Sequence, residues 1–207
     1  MATLTTRRFS TLQRRVVQLE RRLLPKPSPT GVYSERQYDM VRAFVVLAHA
    51  EVEHFLEELA SDVLDAVKRR WDQSHSAGRC LSALLMYNDK RLPFPDALGK
   101  QQPKDSFEEV ARGAIKKHRE FVIRRNHGLK EANILHLYLP MGVLESDLDP
   151  LWLAAMTTFG ARRGVVAHTS AKRVQSPLDP EAARSMVRNV LEGVELVEPV
   201  VLALRRS

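Results

Sequence analysis

Residues 35–70 read ERQYDMVRAFVVLAHAEVEHFLEELASDVLDAVKRR and form the longest helical pattern in the chain. Apolar side chains recur there at steps of three and four, the spacing that places them on one face of an α-helix. That face comprises Val41, Val45, Ala48, Val52, Phe55, Leu59 and Val63. The stretch therefore predicts a long helix with one buried side, which further helices must cover.

The rest of the chain continues this helical pattern. A helix is expected near 106–123 and a short one around 131–138, whereas the prolines of 88–105 predict an irregular connection. Two later helices are expected to start at an aspartate followed by a proline, because these residues favour the N-cap and the first helical position. The two starts are Asp149-Pro150 and Asp179-Pro180. With only 9 glycines and no strictly alternating segment, the sequence predicts an all-α fold.

The composition excludes several classes of protein. The single cysteine, Cys80, rules out a disulfide framework and a cysteine-based zinc cage, and its leucine-rich surroundings predict a small core residue. No stretch approaches 18 consecutive apolar residues, so no membrane span is expected. The chain also lacks a glycine-rich phosphate loop and a His-Glu-x-x-His motif. We therefore expect a cytoplasmic protein without a metal or cofactor.

The net charge of +7 is concentrated in two segments. Residues 1–26 carry seven basic residues against one acidic residue, and residues 112–130 have the same ratio. Residues 27–207 carry a net charge of only +1, so two localised basic surfaces favour a polyanionic partner. The alternative interpretation is that these charges only solvate exposed helix faces.

The first basic segment is predicted to form an arm. An amphipathic helix is expected over 5–24, and its paired arginines recur every seven residues, so they form one stripe beside the apolar seam. Three prolines within 25–29 then stop the helix and make a stiff linker. The sequence thus predicts a basic helical arm with a Pro-rich linker over 1–30 and a helical domain over 31–207.

A polar stripe interrupts the apolar pattern of the long helix. Arg42, His49 and Glu53 are seven and four residues apart, so they stack on one face. One interpretation is a salt-bridged stripe on the surface. The other is a buried network in which Glu53 orients His49, and Arg42 holds a phosphate or a carboxylate. The sequence leaves both open.

A second polar group lies late in the helix that starts at Asp149. It reads Arg162-Arg163-Gly164-Val-Val-Ala-His168. Arginine is permanently charged and suits phosphate, while histidine exchanges a proton near neutral pH. These side chains are the minimum needed for phosphodiester cleavage without a metal. The Arg-x4-His spacing is common in basic proteins, so it needs support from elsewhere in the chain.

Three stretches resemble the HEPN superfamily of helical ribonucleases, most closely its RiboL-PSP branch. Residues 42–57 look like the second helix of that branch, and residues 126–134 are similar to its connecting loop. Residues 152–170 resemble the Arg-x4–6-His motif with its lead-in. The stretches occur in the family's order, and the resemblance covers roughly residues 33–200.

The resemblance implies a HEPN-like up-down helical bundle that forms a homodimer. It implies a metal-independent endoribonuclease that leaves a 2′,3′-cyclic phosphate or 3′-phosphate and a 5′-hydroxyl. Arg163 and His168 match the two functional positions of the motif. An auxiliary group is expected beside them: Arg42, His49, Glu53 and Arg162. With RNA as the polyanion, the expected RNA-binding residues are Arg14, Arg15, Arg124, Arg125 and Lys130.

Two alternatives to a ribonuclease remain. Many active HEPN members carry Asn, Asp or His directly after the arginine, where this chain has Gly164. This departure favours a non-catalytic dimer that binds RNA or a partner protein. A basic helical accessory protein of DNA is the other alternative. Because HEPN members often serve in toxin–antitoxin and phage-defence systems, an antitoxin or defence-system protein is a further expected partner.

Overall fold

A computed structural model describes residues 6–88, 107–168 and 178–206, without the side chains of Ile123, Ala167 and His168. Within these ranges all regular structure is helical. The α-helices are α1 (Arg7–Leu23), α2 (Glu35–Ser74), α3 (Arg79–Tyr87), α4 (Phe107–Arg124), α5 (Glu131–Tyr138), α6 (Pro150–His168) and α7 (Pro180–Ala203). The predicted all-α fold is therefore confirmed. The irregular connection predicted at 88–105 lies outside the described residues, apart from its first residue.

Both aspartates predicted to start helices do so. The Asp149 carboxylate accepts a hydrogen bond from the N–H of Leu151 at 2.9 Å. The Asp179 carboxylate accepts from the N–H groups of Glu181 and Ala182 at 2.8 and 3.1 Å. Each aspartate satisfies backbone donors that have no partner within the helix, which is why α6 and α7 begin where they do.

The chain divides into two compact units. The first unit contains most residues of the three stretches that resemble the HEPN superfamily, 42–57, 126–134 and 152–170. This first unit comprises Met1–Leu56, Gly128–Ile134 and Leu148–Glu198. It contains α1, the N-terminal half of α2, the start of α5, α6 and most of α7.

Contacts inside the first unit show that neighbouring helices run antiparallel. The rings of Phe9 and Phe55 lie 6.1 Å apart. Six residues further along α1, Arg15 Nε lies 2.8 Å from a Glu51 oxygen, which is four residues earlier in α2. Residue numbers therefore rise along α1 while they fall along α2. This alternation is the one that an up-down bundle requires.

Helix α1 also packs against α7 in the antiparallel sense. The hydroxyl of Thr6 donates to both carboxylate oxygens of Glu198, at 2.7 and 2.9 Å. Near the other end of α1, Glu20 lies 3.6 Å from Arg184 and 3.5 Å from Arg188. The helix is thus fixed at both ends.

The apolar seam predicted for the N-terminal helix is buried at four of its five positions. Phe9, Leu12, Val16 and Leu19 are buried, whereas Leu23, the last predicted member, is half-buried. At about 25 cal/mol per Å² of apolar surface removed from water, such a seam contributes several kcal/mol to stability. The boundary predicted near residue 30 stays a prediction, and the helix before it is a packed part of the first unit.

The second unit comprises Glu57–His127, Leu135–Asp147 and Pro199–Ser207. In it α3 packs against α4 and against a 3-10 turn, Leu139–Met141. Cys80 is completely buried in α3, and this burial raises the pKa of its thiol to about 12. Its burial confirms the prediction of a small core residue at this position. A thiol with this pKa also carries almost no reactive thiolate near neutral pH.

Among the described helices, none combines the length and the apolar composition that crossing a bilayer requires.

Candidate functional site

The polar stripe of α2 faces α6. Arg42 donates a hydrogen bond from Nη2 to the carbonyl oxygen of Val166 at 3.1 Å. The ring of His49 is 2% exposed and lies 5.4 Å from the ring of Phe159. Since the contacts proceed in opposite directions along the two helices, α2 and α6 are antiparallel. Of the two interpretations of the stripe, the burial of His49 fits the buried network. The partner seen for Arg42 is a backbone carbonyl group, where the sequence had predicted a phosphate or a carboxylate.

Arg42 stabilises the C-terminal end of α6. Val166 is two residues before the last residue of the helix, so its carbonyl group has no partner further along α6. A positive charge is favourable at this end because the helix dipole is negative there. Arg42 therefore holds the terminal turn that carries His168.

Glu53 lies at the centre of the network. Its Oε2 atom is 3.4 Å from Nδ1 of His49, and its Oε1 atom accepts a hydrogen bond from the backbone N–H of Gly128. The hydrogen bond with His49 lowers the pKa of the Glu53 carboxyl group below its ordinary value of 4.5. Burial acts against this shift, while the Gly128 N–H and the nearby charge of Arg163 add to it. Glu53 thus joins α2, the connecting loop and the arginine motif.

This lowered pKa makes a prediction about stability. The folded protein holds the Glu53 proton more weakly than the unfolded chain does, so its contribution is complete above about pH 4.5 and is lost as the pH falls through the folded-state pKa. We expect Glu53→Gln to lower the free energy of unfolding at neutral pH and to reduce its loss under acid conditions. Urea unfolding between about pH 3 and 6 measures both quantities.

The matched control is Asp39→Asn, which removes an exposed carboxylate from the same helix. This variant should keep the wild-type loss of stability in acid. An acid profile of Glu53→Gln that is identical to that of the wild type would contradict the network.

The connecting loop is fixed against α6 by close backbone contacts. Gly128 has a φ of +110°, a conformation that favours glycine, and this conformation presents its N–H to Glu53. A Cβ at Gly160 would lie 3.2 Å from Cγ and 3.4 Å from the backbone nitrogen of Lys130, so only glycine lets the loop approach without displacement. The N–H of Glu131 donates to the hydroxyl of Thr157 at 3.0 Å. Lys130 thus lies against Gly160, which precedes Arg163 by about one turn of α6.

The arginine motif itself is accessible. Arg162 and Arg163 are exposed on α6, and a Cβ at Gly164 would meet nothing within 4 Å. His168 is the last residue of α6, and its side chain lies outside the part of the chain that the structure describes. The structure therefore brings together Glu53, the loop and Arg163.

The predicted RNA-binding residues are divided between the two units. In the first unit, Arg14 and Lys130 are exposed, whereas Arg15 is half-exposed and paired with Glu51. Arg124 and Arg125 are exposed in the second unit.

Two structural groups in the first unit were not predicted from the sequence. Glu198 is only 3% exposed, although its helix pattern gave no reason to separate it from surface glutamates. Its partner Thr6 is 192 residues away and also caps α1, where its hydroxyl accepts from the N–H of Phe9 at 3.0 Å, so no local signal connects the two residues. The second group is the indole ring of Trp152, which packs directly against Gly193 of α7. A glycine inside a helical pattern is the sequence signal of such a close approach.

The comparisons with known proteins give one result. A model of the RiboL-PSP-HEPN family matches residues 10–198, which include most of α1 and all three of the stretches 42–57, 126–134 and 152–170. No curated protein and no solved structure shows significant similarity to the chain.

Proposed function

The chain belongs to the RiboL-PSP-HEPN family, a branch of the HEPN superfamily, and on this basis we propose that it is a metal-independent endoribonuclease with Arg163 and His168 as its catalytic residues. The observation that carries the proposal is that three segments of the chain meet at Glu53. This carboxylate contacts His49 and Gly128 and lies within electrostatic reach of Arg163. Three segments far apart in the sequence thus support one exposed arginine.

The reaction follows from the two side chains. One base removes the proton of an RNA 2′-hydroxyl, whose oxygen attacks the adjacent phosphorus. The bond from phosphorus to the 5′-oxygen breaks, and an acid protonates that oxygen. The products are a 2′,3′-cyclic phosphate and a 5′-hydroxyl, and water opens the cyclic phosphate to a 3′-phosphate. His168 serves in one of the proton transfers, since imidazole exchanges protons near neutral pH.

Arg163 stabilises the negative charge that gathers on the phosphoryl oxygens, a role for which a planar guanidinium with five donors is suited. The indirect roles belong to neighbouring residues. Glu53 and His49 hold the loop and α6 in register, and Arg42 fixes the terminal turn. Arg162 and Lys130 provide further positive charge near the scissile phosphate.

The spacing of the motif favours a site shared between two chains. Five residues of helix separate Arg163 from His168 by ~7.5 Å of rise and ~140° of rotation. One helix does not easily direct both groups at one phosphate. In a symmetric homodimer, each subunit supplies part of the phosphate site.

A second candidate function is a non-catalytic dimer that binds RNA or a partner protein. Gly164 favours it, because no polar side chain follows Arg163. The biological setting that we propose for either function is a cytoplasmic toxin–antitoxin or phage-defence system, with an antitoxin or defence protein as the partner.

The discriminating experiment incubates the purified protein with labelled single-stranded RNA and with duplex DNA in EDTA. Cleavage of RNA without metal supports the ribonuclease. Binding of RNA without cleavage supports the second candidate, and preference for duplex DNA supports a DNA-associated accessory protein and contradicts both.

The arginine stripe of α1 is proposed to bind the RNA backbone without taking part in the chemistry. Its exposed members include Arg14, Arg21 and Arg22. Changing these three to Gln together should weaken RNA binding and flatten its dependence on salt by up to about 2 units, because each phosphate contact on a single strand contributes ~0.7 units. Fluorescence anisotropy titrations over a range of salt concentrations measure this slope.

Substitution is preferred to deletion here because the other face of α1 is buried. The control changes Arg36, Arg69 and Arg206 to Gln, which removes the same charge from exposed positions outside the two basic segments. Equal slopes for the two triple variants would show that net charge alone governs binding, and would contradict a role for the stripe.

A further inference from the structure

The second unit contains a cavity that the proposed reaction does not use. It has a volume of about 300 Å³ and lies among α3, α4 and α5. This volume is at the lower end of the range for small-molecule sites in proteins. Its lining includes Tyr87, Asn88, Lys117, His118, Phe121 and His136.

The rings of Tyr87, His118, Phe121 and His136 lie in the lining, beside the apolar side chains of Leu84, Ala114 and Pro140. Phe121 stacks on His118 with 6.1 Å between ring centres, and it meets the ring of His136 edge-on at 6.1 Å. His118 is 7% exposed, with Nε2 at 3.0 Å from the carbonyl oxygen of Leu137, so its ring is fixed. Burial lowers the pKa of His118, which keeps this ring neutral near pH 7. Tyr87, by contrast, is 61% exposed at the edge of the cavity.

A positive charge lies beside these rings. Lys117, His118 and Phe121 share one face of α4. The Nζ atom of Lys117 donates to the neutral side-chain oxygen of Asn88 at 3.3 Å. Two other basic residues of α4 have acidic partners, since Arg112 pairs with Asp72 and Arg119 with Asp65. Lys117 thus keeps a charge that an anion can satisfy.

We propose that this cavity binds an unstacked nucleobase of single-stranded RNA and that Lys117 binds the adjoining phosphate. Aromatic and histidine rings accept any base by stacking, and a neighbouring cation holds the backbone. Bases inside a duplex are already stacked, so the cavity selects single strands. The inference rests on the proposed function for the identity of the ligand as RNA, but not on catalysis.

The test uses two probes of equal length. One is a 2′-O-methyl oligoribonucleotide, which lacks the attacking hydroxyl and cannot be cleaved by the proposed reaction. The other is its abasic counterpart, which keeps the phosphates alone. The dissociation constant of the abasic probe divided by that of the 2′-O-methyl probe, both measured by anisotropy, reports the contribution of the bases. In Tyr87→Leu and Phe121→Leu, this ratio should fall roughly 5- to 150-fold, the equivalent of losing one stacked base.

The matched control is Lys116→Gln, because Lys116 is exposed next to Lys117 and does not line the cavity. It should weaken both probes alike and leave their ratio unchanged. Tyr87 is largely exposed, so its substitution keeps the fold, which circular dichroism verifies. Adenosine monophosphate added as a competitor distinguishes the two sources of a base and phosphate. Displacement of the probe extends the site to free nucleotides, and its absence restricts the site to a chain.

An unchanged ratio in both folded variants would overturn the cavity proposal. If the same variants still cleave RNA in EDTA, the proposed function stands. Cleavage that fails while the ratio responds would overturn the ribonuclease alone. A wild-type protein that binds neither probe and does not cleave RNA would overturn both.

Discussion

The single variants His168→Ala and Arg163→Ala should each cleave RNA at least ~10²-fold more slowly than the wild type. General acid–base catalysis contributes about 10²–10⁴-fold, and removal of one group that stabilises developing charge costs a similar factor. The double variant should be little worse than either single variant, because groups that act as a unit are not additive. Initial rates on a labelled RNA in EDTA provide the measurement.

The control for this experiment is Arg69→Ala, which removes an exposed arginine far along the chain from the motif. It should cleave at nearly the wild-type rate. Circular dichroism and the mass of the protein in solution should be unchanged in all variants, since Arg163 is exposed and His168 ends its helix. Near-wild-type cleavage by both single variants would place the activity outside this motif.

A large loss of stability is expected for Gly193→Ala. A Cβ at this position would lie 1.9 Å from Cδ1 of Trp152, which no real contact allows. Trp152 cannot move away freely, since it is 3% exposed and its Nε1–H donates to the carbonyl oxygen of Val190 at 3.1 Å. Overpacking of this kind costs about 1–3 kcal/mol, which corresponds to a Tm lower by ~2–4 °C for each kcal/mol. Thermal unfolding followed by circular dichroism measures the change.

Gly164→Ala is the matched substitution, and it should raise the free energy of unfolding where Gly193→Ala lowers it. Gly164 is also helical, but a Cβ there meets nothing within 4 Å. Alanine should therefore stabilise the helix by about 0.5–1 kcal/mol, because it loses less backbone entropy on folding. If both variants gained stability, the packing of Trp152 on Gly193 would be wrong.

Local signals explain what the sequence predicted well. The helix starts at Asp149 and Asp179 depend on a side chain and the two or three residues after it, so they can be read from adjacent positions. The long pattern of 35–70 corresponds to α2 for a similar reason, since its apolar spacing spans many turns. Helix α3 was not predicted. With 9 residues it is too short to be stable alone, and packing against α4 supports it.

The candidate site could be predicted only in part. The spacing of Arg42, His49 and Glu53 showed that they share a face, but not that the face is buried. The partner of Glu53 is Gly128, 75 residues later, and the partner of Arg42 is Val166, 124 residues later. Both partners are backbone groups, which every residue has, so no residue type marks them. Only the folded chain shows that one carboxylate links the three segments.

The chemical ends of the RNA fragments identify the attacking group. If the 2′-hydroxyl attacks with the help of Arg163 and His168, fragments formed in EDTA carry a 2′,3′-cyclic phosphate or 3′-phosphate and a 5′-hydroxyl. A 2′-deoxy sugar at the cleaved nucleotide should then abolish cleavage there. Mass spectrometry of the fragments distinguishes the outcomes. Fragments with a 3′-hydroxyl and a 5′-phosphate, or cleavage that occurs only with a divalent cation, would contradict this mechanism.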